Sequence, residues 1–417
     1  MTLELSRLFS ATAQSLSASE IRELLKLLDR PQMISFAGGL PNPAAFPVSE
    51  LQEVMLHVMQ DHAGEALQYG PTEGHFRLRH AIAAGMGDVY GAPQGVENIL
   101  ITAGSQQGLH LLASLLLDPG DTVLTANPTY LGALLTFRAL SARVEGVASD
   151  AEGLRVDALN QTLTDLGRHN RRPKFMYLVP TFQNPTGATL SVQRRRQIYE
   201  VARQYELLII EDDPYGLLRY EGDPVLPIKS LDIDQRVAYL GTFSKILVPG
   251  FRIGWIAADP ALVRKAVLAK QAYDLCASTF GQYCVYEALR NNTLFPHIEQ
   301  IKLLYRQKRD LMLEALGQRF PAAAVYSRPE GGLFLWVELP EDLDALELLP
   351  KAIEHDVAYV TGKPFFTDGT GHNTLRLNFS YAQDSQIVEG VHRLASVIEA
   401  ELELARSGER TDRVGIF

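Results

Sequence analysis

Residues 237–255 read VAYLGTFSKILVPGFRIGW: a short apolar run, a glycine turn that carries a lysine, and a second short apolar run. Short apolar runs bounded by turn residues predict strands that are buried on both faces. Similar runs recur through the middle of the chain, at residues 99–103, 123–125, 175–179, 207–210, 237–240 and 253–257. Amphipathic stretches, such as residues 191–205 with their serine cap, lie between several of these runs. Strands that alternate with helices predict an α/β fold, with a mostly parallel central sheet and helices on both faces.

The pattern changes after about residue 285, where a long helical pattern is followed by further short strands. The helical pattern covers residues 298–316, and the predicted strands are 333–339, 358–361 and 374–379. This part favours a smaller α+β domain, whereas the first 45 residues are too few for a domain and too apolar for a tail. We expect three parts: an N-terminal segment (1–45) that packs with the small domain and the active site, a large domain (46–290) and a C-terminal small domain (291–417).

The composition argues against nucleic acids and membranes as binding partners. The 417 residues include 39 basic and 49 acidic ones, a formal net charge of −10, whereas nucleic-acid-binding proteins usually carry a basic excess. No stretch approaches about 18 consecutive apolar residues, and the first residues show no secretory signal pattern. We therefore expect a cytoplasmic protein without a membrane or nucleic-acid partner. Cys276 and Cys284 are interpreted as reduced thiols on one helix, and the ten histidines lack paired metal spacing, so no metal is expected.

Lys245 directly follows a predicted buried strand and lies near two hydroxyl residues, Thr242 and Ser244, with Arg252 a short way further along. An amine is nucleophilic only when it is neutral, and burial lowers the pKa of a lysine towards that state. Hydroxyls and an arginine suit an anion, most simply a phosphate. Together these residues predict a lysine that forms a Schiff base with a phosphorylated aldehyde.

Three further segments place polar groups after predicted strands, where the ligands of open α/β sheets bind. Asp212 could pair with a protonated ring nitrogen, as pyridoxal phosphate requires. Gly104, Ser105 and Gln106 open a predicted helix, whose free N–H groups make a phosphate seat. Asn184, in the stretch PTFQNPTG, could reach both a ring hydroxyl and a substrate carboxylate. Taken singly, Asp212 also fits an acidic capping turn and the Asn184 stretch an ordinary turn.

In this order and spacing, the four segments resemble the pyridoxal-phosphate aminotransferases of fold type I, class I/II. Residues 21–25 (IRELL), 35–41 (SFAGGLP) and 68–74 (QYGPTEG) are similar to the branch of 2-aminoadipate and kynurenine aminotransferase II enzymes. The likeness covers about residues 15–400. It implies pyridoxal 5′-phosphate as cofactor, bound by the large domain, and amino acids and 2-oxo acids as substrates.

The resemblance also implies roles for matching residues. Lys245 would hold the cofactor as a Schiff base and move the Cα proton, with Asp212 and Tyr215 as the other catalytic residues. Asp212 would pair with the pyridine nitrogen, and Tyr130 would stack on the ring. Asn184 and Tyr215 would hydrogen-bond the ring oxygen.

The same resemblance implies a phosphate site and a shared active site. The phosphate would be bound by Gly104, Ser105, Gln106, Thr242, Ser244 and Arg252. The family often has serine where this chain has Thr242, a departure that keeps the hydroxyl. Tyr69 would reach the phosphate of a neighbouring subunit, which implies a homodimer.

The implied substrate site contains Arg22, Gly39, Asn184 and Arg376. Arg376 would bind the α-carboxylate through its planar fork, although on its own it also fits a surface strand. Gly39 would let the N-terminal segment approach the substrate closely. Arg22 would face a distal carboxylate or swing away from apolar side chains, and the alternative interpretation is an ordinary cation on a helix face.

The function expected from these features is transfer of an amino group from an L-amino acid to 2-oxoglutarate or a similar 2-oxo acid by a ping-pong mechanism. The expected donors are 2-aminoadipate, glutamate, leucine or aromatic amino acids. A pyridoxal-phosphate β-lyase stays open, because the binding motifs alone do not exclude it. A non-catalytic regulatory module would need a DNA-binding domain ahead of the fold, and Gly38-Gly39 falls too early to leave room for one.

Overall fold

The computed structural model describes residues 5–10, 13–14 and 32–407 of the chain. Its strands, numbered along the chain, are β1 (Ile34–Ser35), β2 (Ile99–Thr102), β3 (Thr122–Asn127), β4 (Arg143–Asp150), β5 (Gly153–Leu154), β6 (Pro173–Leu178), β7 (Leu208–Asp212), β8 (Val237–Thr242), β9 (Gly254–Ala257), β10 (Val325–Tyr326), β11 (Phe334–Glu338), β12 (Val357–Ala358), β13 (Val360–Thr361) and β14 (Thr374–Asn378). Its α-helices are α1 (Val48–Asp61), α2 (Ala63–Ala66), α3 (Phe76–Asp88), α4 (Ser105–Leu116), α5 (Leu131–Ala139), α6 (Val156–Arg168), α7 (Val192–Gln204), α8 (Pro260–Tyr273), α9 (Thr279–Arg290), α10 (Leu294–Arg319), α11 (Ala345–Glu354) and α12 (Asp384–Ser407). Short 3₁₀ helices lie at Leu5–Leu8, Pro43–Ala45, Val96–Asn98, Ile228–Leu231, Pro249–Phe251 and Lys363–Phe365.

In the described part of the chain, eight strands form the central sheet in the order β2-β9-β8-β7-β6-β3-β4-β5. All neighbours from β8 through β4 run parallel, which confirms the predicted mostly parallel sheet. β9 runs antiparallel to both β2 and β8, and the short β5 runs antiparallel to β4. The connection between β8 and β9 contains the 3₁₀ helix Pro249–Phe251 but no α-helix. Because a parallel neighbour needs a longer crossover, a connection this short favours the antiparallel arrangement.

Helices cover both faces of this sheet, as predicted. Successive side chains of a strand point to opposite faces, and β6 shows the alternation clearly. Phe175 and Tyr177 lie in the larger hydrophobic cluster, to which α4 contributes, whereas Met176 and Leu178 lie in a second cluster completed by α6 and α7. Burial on both faces explains why these strands are continuous apolar runs in the sequence.

The predicted elements are present, with shifted ends. The helix expected at residues 191–205 is α7, and the Ser191 hydroxyl caps it by accepting a hydrogen bond from the N–H of Arg194 (3.3 Å). β4 was not predicted, because most of its residues are polar or partly exposed and form no apolar run. The placement of both cysteines on one helix was wrong. Cys284 lies in α9, whereas Cys276 lies in the turn before it.

A second, antiparallel sheet has the strand order β10-β11-β14-β13. The N-terminal segment is joined to this region, because β1 pairs in parallel with β12 and the N–H of Asn378 donates to the Phe36 carbonyl (2.8 Å). Domain boundaries after residues 45 and 290 stay a prediction. Among the described residues, no helix has both the length and the apolar character needed to cross a membrane.

Candidate active site

The strands β2, β6, β7 and β8 end at the same edge of the central sheet, and a cavity of about 310 Å³ lies there. Predicted site residues that line the cavity are Gly39, Ser105, Gln106, Tyr130, Asn184, Asp212, Tyr215, Thr242, Ser244, Lys245, Arg252 and Arg376. A larger surface groove of about 850 Å³ passes Asn127, Arg328 and Trp336, but none of the predicted site residues lies among its described lining residues. The smaller cavity is therefore the candidate active site, because the predicted catalytic and binding residues line it.

Lys245 lies just after β8, and its Nζ donates a hydrogen bond to the carbonyl oxygen of Gly39 (2.7 Å). Burial, followed by the positive charges of Arg252 and Arg376, lowers the pKa of Lys245 from 10.5 to about 8. A lysine with this pKa is neutral in roughly a tenth of molecules at pH 7, against fewer than about one in a thousand for an ordinary lysine. The cavity therefore contains an amine that can act as a nucleophile or accept a proton.

Asp212, the last residue of β7, is 4% exposed. Its Oδ2 accepts a hydrogen bond from the Tyr177 hydroxyl (2.7 Å), whereas its buried Oδ1 has no hydrogen-bond partner among the residues that the structure describes. Burial raises the pKa of Asp212 to about 7, with a smaller rise from the charge of Asp213 and a fall from the Tyr177 hydrogen bond. A buried unpaired carboxylate oxygen is costly, so Oδ1 suits a ligand that brings a cationic N–H group.

The ends of β2 and β8 are brought together by β9, because Thr102 and Thr242 both pair with Gly254. A Cβ atom on Gly254 would lie 2.7 Å from the backbone nitrogen of Ser105, the first residue of α4. Glycine at this position lets the N-terminus of α4 approach the hydroxyls that follow β8. The Oγ atoms of Thr242 and Ser244 are 3.0 Å apart.

Arg252 completes this part of the cavity, which we call the anion end (Ser105, Thr242, Ser244 and Arg252). Its guanidinium donates to the Ser244 hydroxyl (3.2 Å) and to the Ala103 carbonyl (3.3 Å). A Cβ atom on Gly104 would lie 2.4 Å from Nη2 of Arg252, and Gly104 has a φ of +82°, so this position requires glycine. A helix N-terminus, two hydroxyls and a guanidinium together suit a phosphate group.

The wall beside the anion end is aromatic. The Tyr130 hydroxyl donates to Oε1 of Gln106 (3.2 Å), and Nε2 of Gln106 donates to the Thr136 hydroxyl (3.0 Å). The side chain of Gln106 therefore orients Tyr130, and its predicted contact with the phosphate stays a prediction. Tyr215 is 4% exposed, and burial raises its pKa, so its hydroxyl stays protonated and can donate a hydrogen bond.

Arg376 lies on β14, at the other end of the cavity, and is 7% exposed. Its Nη1 donates to Oδ1 of Asn184 (2.7 Å) and its Nη2 to the Ala37 carbonyl (2.7 Å). The guanidinium carbon lies 4.3 Å from the ring centre of Phe334 and 5.4 Å from that of Phe365. Burial lowers the pKa of Arg376 to about 10, which leaves it charged at neutral pH. We call these five residues the Arg376 end, and its oriented fork suits a carboxylate.

Three predicted site residues stand apart from the cavity lining. Gly104 lies against the guanidinium of Arg252 and does not line the cavity itself. Tyr69 is 79% exposed and does not line the cavity of its own chain, so its contact with a neighbouring subunit stays a prediction. Arg22 lies outside the described residues.

Sequence reasoning missed Phe334, which lines the cavity, and Tyr177, which supports the site from behind through its hydrogen bond to Asp212. Tyr177 carried a usable signal, because a tyrosine inside a buried apolar strand needs a hydrogen-bond partner. The position of Phe334 depends on packing between β11 and distant segments and leaves no local signal. Gly39 faces Phe334, and a Cβ atom there would lie 3.2 Å from Cζ of that ring, whereas its close approach to the substrate stays a prediction.

One group of potential metal ligands occurs within the described residues, although no metal was expected. Ligand atoms of His57, His62 and Glu287 lie within 4.8 Å of one another, away from the cavity. The Arg290 guanidinium contacts both His57 (3.1 Å) and Glu287 (2.6 Å). This cation already offsets the charge of the carboxylate, which weakens the case for a metal ion.

Comparison with known proteins agrees with this geometry. The family model for aminotransferase class I and II matches residues 38–394. The aromatic-amino-acid aminotransferase 1 of Thermococcus litoralis is 45% identical over 401 residues, covering 96% of this chain and 96% of its own length. The crystal structure of Pyrococcus horikoshii kynurenine aminotransferase, in complex with PMP, has a TM-score of 0.93 and 44% identity and covers 96% of this chain and 98% of that one. The α-aminoadipate aminotransferase LysN from Thermus thermophilus, complexed with N-(5′-phosphopyridoxyl)-L-leucine, has a TM-score of 0.89 and 38% identity, covering 96% and 100%.

Proposed function

The chain belongs to the class I and II aminotransferase family, and from this premise we propose that it transfers the amino group of an L-amino acid to 2-oxoglutarate or a similar 2-oxo acid by a ping-pong mechanism. The chain is an aminotransferase whose cofactor is pyridoxal 5′-phosphate. One observation carries the proposal: Lys245, Asp212 with its unpaired Oδ1, and residues from both the anion end and the Arg376 end line one cavity. Each group matches one part of a complex between such a cofactor and an amino acid.

The cofactor, when bound, supplies an electron sink for the charge that develops at the substrate Cα. Asp212 would hold the proton on the ring nitrogen through Oδ1, the oxygen that has no hydrogen-bond partner in the described part of the chain. The hydroxyls of Thr242 and Ser244, the N-terminus of α4 and Arg252 would bind the phosphate. Tyr130, Asn184 and Tyr215 would contact the ring and its oxygen.

Arg376 would bind the substrate α-carboxylate. Its fork is held by Asn184 and Ala37 before any substrate arrives, so little side-chain entropy is lost when a carboxylate binds. A carboxylate bound there and a phosphate bound at the anion end would hold the substrate at two points of the cavity that Lys245 also lines. Two fixed points would orient the substrate Cα for proton transfer to Lys245.

Lys245 would accept and return that proton. Its lowered pKa keeps a fraction of the amine neutral at physiological pH, which both attack on an aldehyde and proton acceptance require. The Gly39 carbonyl holds one N–H of the amine at 2.7 Å. Gly39 and Phe334 also line the cavity, where the ring of Phe334 would limit the access of water to the reacting atoms.

The donor specificity we propose is 2-aminoadipate, glutamate, leucine or an aromatic amino acid. The names of the relatives support this range, since they include aromatic-amino-acid, kynurenine and α-aminoadipate aminotransferases. Arg22 would face a distal carboxylate of the dicarboxylic donors. We also propose that the active unit is a cytoplasmic homodimer to which Tyr69 of each subunit contributes.

A half-reaction on the purified, cofactor-loaded protein tests this proposal. Single amino acids are added without an acceptor, and the visible absorption of the cofactor is followed. We expect donors to remove the band and 2-oxoglutarate to restore it, with the ranking of glutamate, 2-aminoadipate, leucine and phenylalanine giving the specificity. A band that persists with every donor, or that disappears with release of pyruvate or ammonia, would contradict transamination and favour a binding module or a β-lyase.

A further inference from the structure

Tyr177 lies on β6 with a fully buried side chain. Its ring packs edge to face against Phe137, with the ring centres 5.7 Å apart, so the hydroxyl is fixed in direction. That hydroxyl donates to Oδ2 of Asp212 across the parallel pair β6–β7, at 2.7 Å. Nothing in the sequence motifs assigns a role to this tyrosine.

Asp212 is the middle member of three consecutive buried carboxylates, and each has different partners. Both oxygens of Glu211 accept backbone N–H bonds, from Ile228 and Lys229 at 2.7 Å. Asp213 accepts a hydrogen bond from the Tyr239 hydroxyl at 3.1 Å. Asp212 borders the cavity and, among the described side chains, is hydrogen-bonded by Tyr177 at one oxygen only.

The hydrogen bond from Tyr177 determines which oxygen of Asp212 faces the cofactor. It also affects whether Asp212 or the ring nitrogen carries the proton that they share. Because Tyr177 holds Oδ2, Oδ1 is left for the ring nitrogen. Burial and the charge of Asp213 favour the protonated acid, whereas a donated hydrogen bond favours the carboxylate. Within the described part of the chain, the other titratable groups that face this pair are the hydroxyls of Tyr130 and Tyr215, which stay neutral. Of the groups around Asp212, Tyr177 is therefore the one that opposes its protonation.

We propose that Tyr177 is a positioning residue that keeps Asp212 ionised with Oδ1 towards the cofactor, so that the shared proton stays on the ring nitrogen. This inference rests on the proposed function, because it needs the cofactor ring to bind beside Asp212. A proton on the ring nitrogen is what makes the ring an effective electron sink. Tyr177 therefore acts on the reaction through Asp212 and does not touch the reacting atoms.

The test uses Tyr177→Phe, which removes one hydroxyl and keeps the ring packed on Phe137. Tyr239→Phe is the matched control, because it removes the same kind of buried tyrosine–aspartate bond one strand away, at a carboxylate that does not line the cavity. The dissociation constant of the apoprotein is measured for pyridoxal phosphate and for its 1-deaza analogue, in which CH replaces the ring nitrogen. We expect Tyr177→Phe to weaken binding of pyridoxal phosphate about tenfold, the usual scale for a hydrogen bond to a charged group, and binding of the analogue less than about twofold.

A second readout follows the proton directly. With cofactor labelled at the ring nitrogen, the ¹⁵N resonance is expected at the protonated position in wild type and in Tyr239→Phe. In Tyr177→Phe it should move towards neutral pyridine, because the more basic Asp212 carboxylate then retains the proton. If Tyr177→Phe does not fold, 3-fluorotyrosine at position 177 keeps the ring and the hydroxyl. Its ¹⁹F resonance should then differ between protein loaded with pyridoxal phosphate and protein loaded with the analogue.

Three results would overturn the role of Tyr177. They are an unchanged ¹⁵N resonance in Tyr177→Phe, equal losses for the cofactor and its analogue, and equal effects of the two tyrosine variants. Identical ¹⁹F resonances with both cofactors would have the same meaning. A wild-type protein that binds no pyridoxal phosphate would instead contradict the proposed function, so the two failures are distinguishable.

Discussion

The two ends of the cavity are built in different ways. The anion end comes from turns that follow or precede three adjacent strands of one sheet, β2, β9 and β8. The Arg376 end joins the N-terminal segment at Ala37, the turn after β6 at Asn184 and a strand of the second sheet. The anion end is therefore set by local backbone geometry, whereas the Arg376 end exists only when three distant parts of the chain pack together.

The two arginines differ in the same sense. Arg252 is exposed and contacts hydroxyl and carbonyl oxygens, whereas Arg376 is buried between two aromatic rings. Replacing a buried charge with fixed hydrogen bonds costs more free energy than replacing an exposed charge. Changes at the Arg376 end should therefore act on substrates and have larger effects, and changes at the anion end should act on the cofactor.

Lys245→Ala removes the group that lies between the two ends and should have the largest effect. We expect turnover to fall by at least about a thousandfold, since both the nucleophile and the proton acceptor are lost. Cofactor should still bind through the anion end, with reduced affinity. Turnover is measured together with bound cofactor per chain, and near-wild-type transamination by this variant would overturn the whole assignment.

Arg376→Lys keeps the charge but loses the planar fork that Asn184 and Ala37 orient. We expect kcat/KM for amino acids to fall about a hundredfold, while the cofactor dissociation constant changes little. Steady-state kinetics and a cofactor titration give both numbers. A variant that loses cofactor as strongly as it loses substrate would break the distinction between the two ends.

Arg252→Lys is the reciprocal change at the anion end. We expect the cofactor to bind about tenfold more weakly, because a lysine in place of Arg252 cannot reach the Ser244 hydroxyl and the Ala103 carbonyl with one planar group. The KM for the amino donor, measured at saturating cofactor, should stay within about twofold. A rise in KM without weaker cofactor binding would reverse the roles assigned to the two arginines.

The pKa of Lys245 depends on both ends of the cavity, because the positive charges of Arg252 and Arg376 both lower it. Capture of the cofactor by apoprotein needs the neutral amine, so its rate should rise about tenfold per pH unit below about 8 and level off above. Stopped-flow absorbance from pH 6 to pH 9.5 would show this profile. Arg376→Gln removes one of the positive charges that lower the pKa of Lys245, so its midpoint should lie higher. A wild-type rate that still rises tenfold per pH unit up to pH 9.5 would contradict a buried amine with a lowered pKa.

Arg22→Ala should have the smallest effect and tests the proposed extension of the Arg376 end towards a distal carboxylate. We expect kcat/KM to fall several-fold for 2-aminoadipate and to change little for leucine, because only 2-aminoadipate has a distal carboxylate that Arg22 could pair with. Leucine is the internal control for folding and cofactor loading. Equal losses on both donors would leave Arg22 as an ordinary helix-face cation.

The contrast between the two ends also explains how much of the candidate site could be predicted from the sequence alone. The anion end is predictable because Thr242, Ser244 and Arg252 lie close together in the chain, and Gly104-Ser105 marks a strand-to-helix turn. Arg376, in contrast, fits a surface strand when considered on its own, and only the family resemblance assigns it to the substrate. Its partners Ala37 and Phe334 are set by long-range packing, which no local pattern encodes.

Two other features show the same limit. The direction of β9 follows from the short connection after β8, a signal present in the sequence, although the apolar run alone suggests another parallel strand. The hydrogen bond from Tyr177 to Asp212 depends on the pairing of β6 with β7, so the sequence shows only that Tyr177 needs some partner. Strand neighbours have to be known before that partner can be named.

Transfer of labelled nitrogen tests the central claim most directly. The cofactor-loaded protein is incubated with ¹⁵N-leucine and unlabelled 2-oxoglutarate, and the products are followed by mass spectrometry, with Lys245→Ala as the control. We expect ¹⁵N-glutamate in equal amount to the 2-oxo acid formed from leucine, and neither product with Lys245→Ala. Recovery of the label as ammonia, or equal product from both proteins, would contradict it.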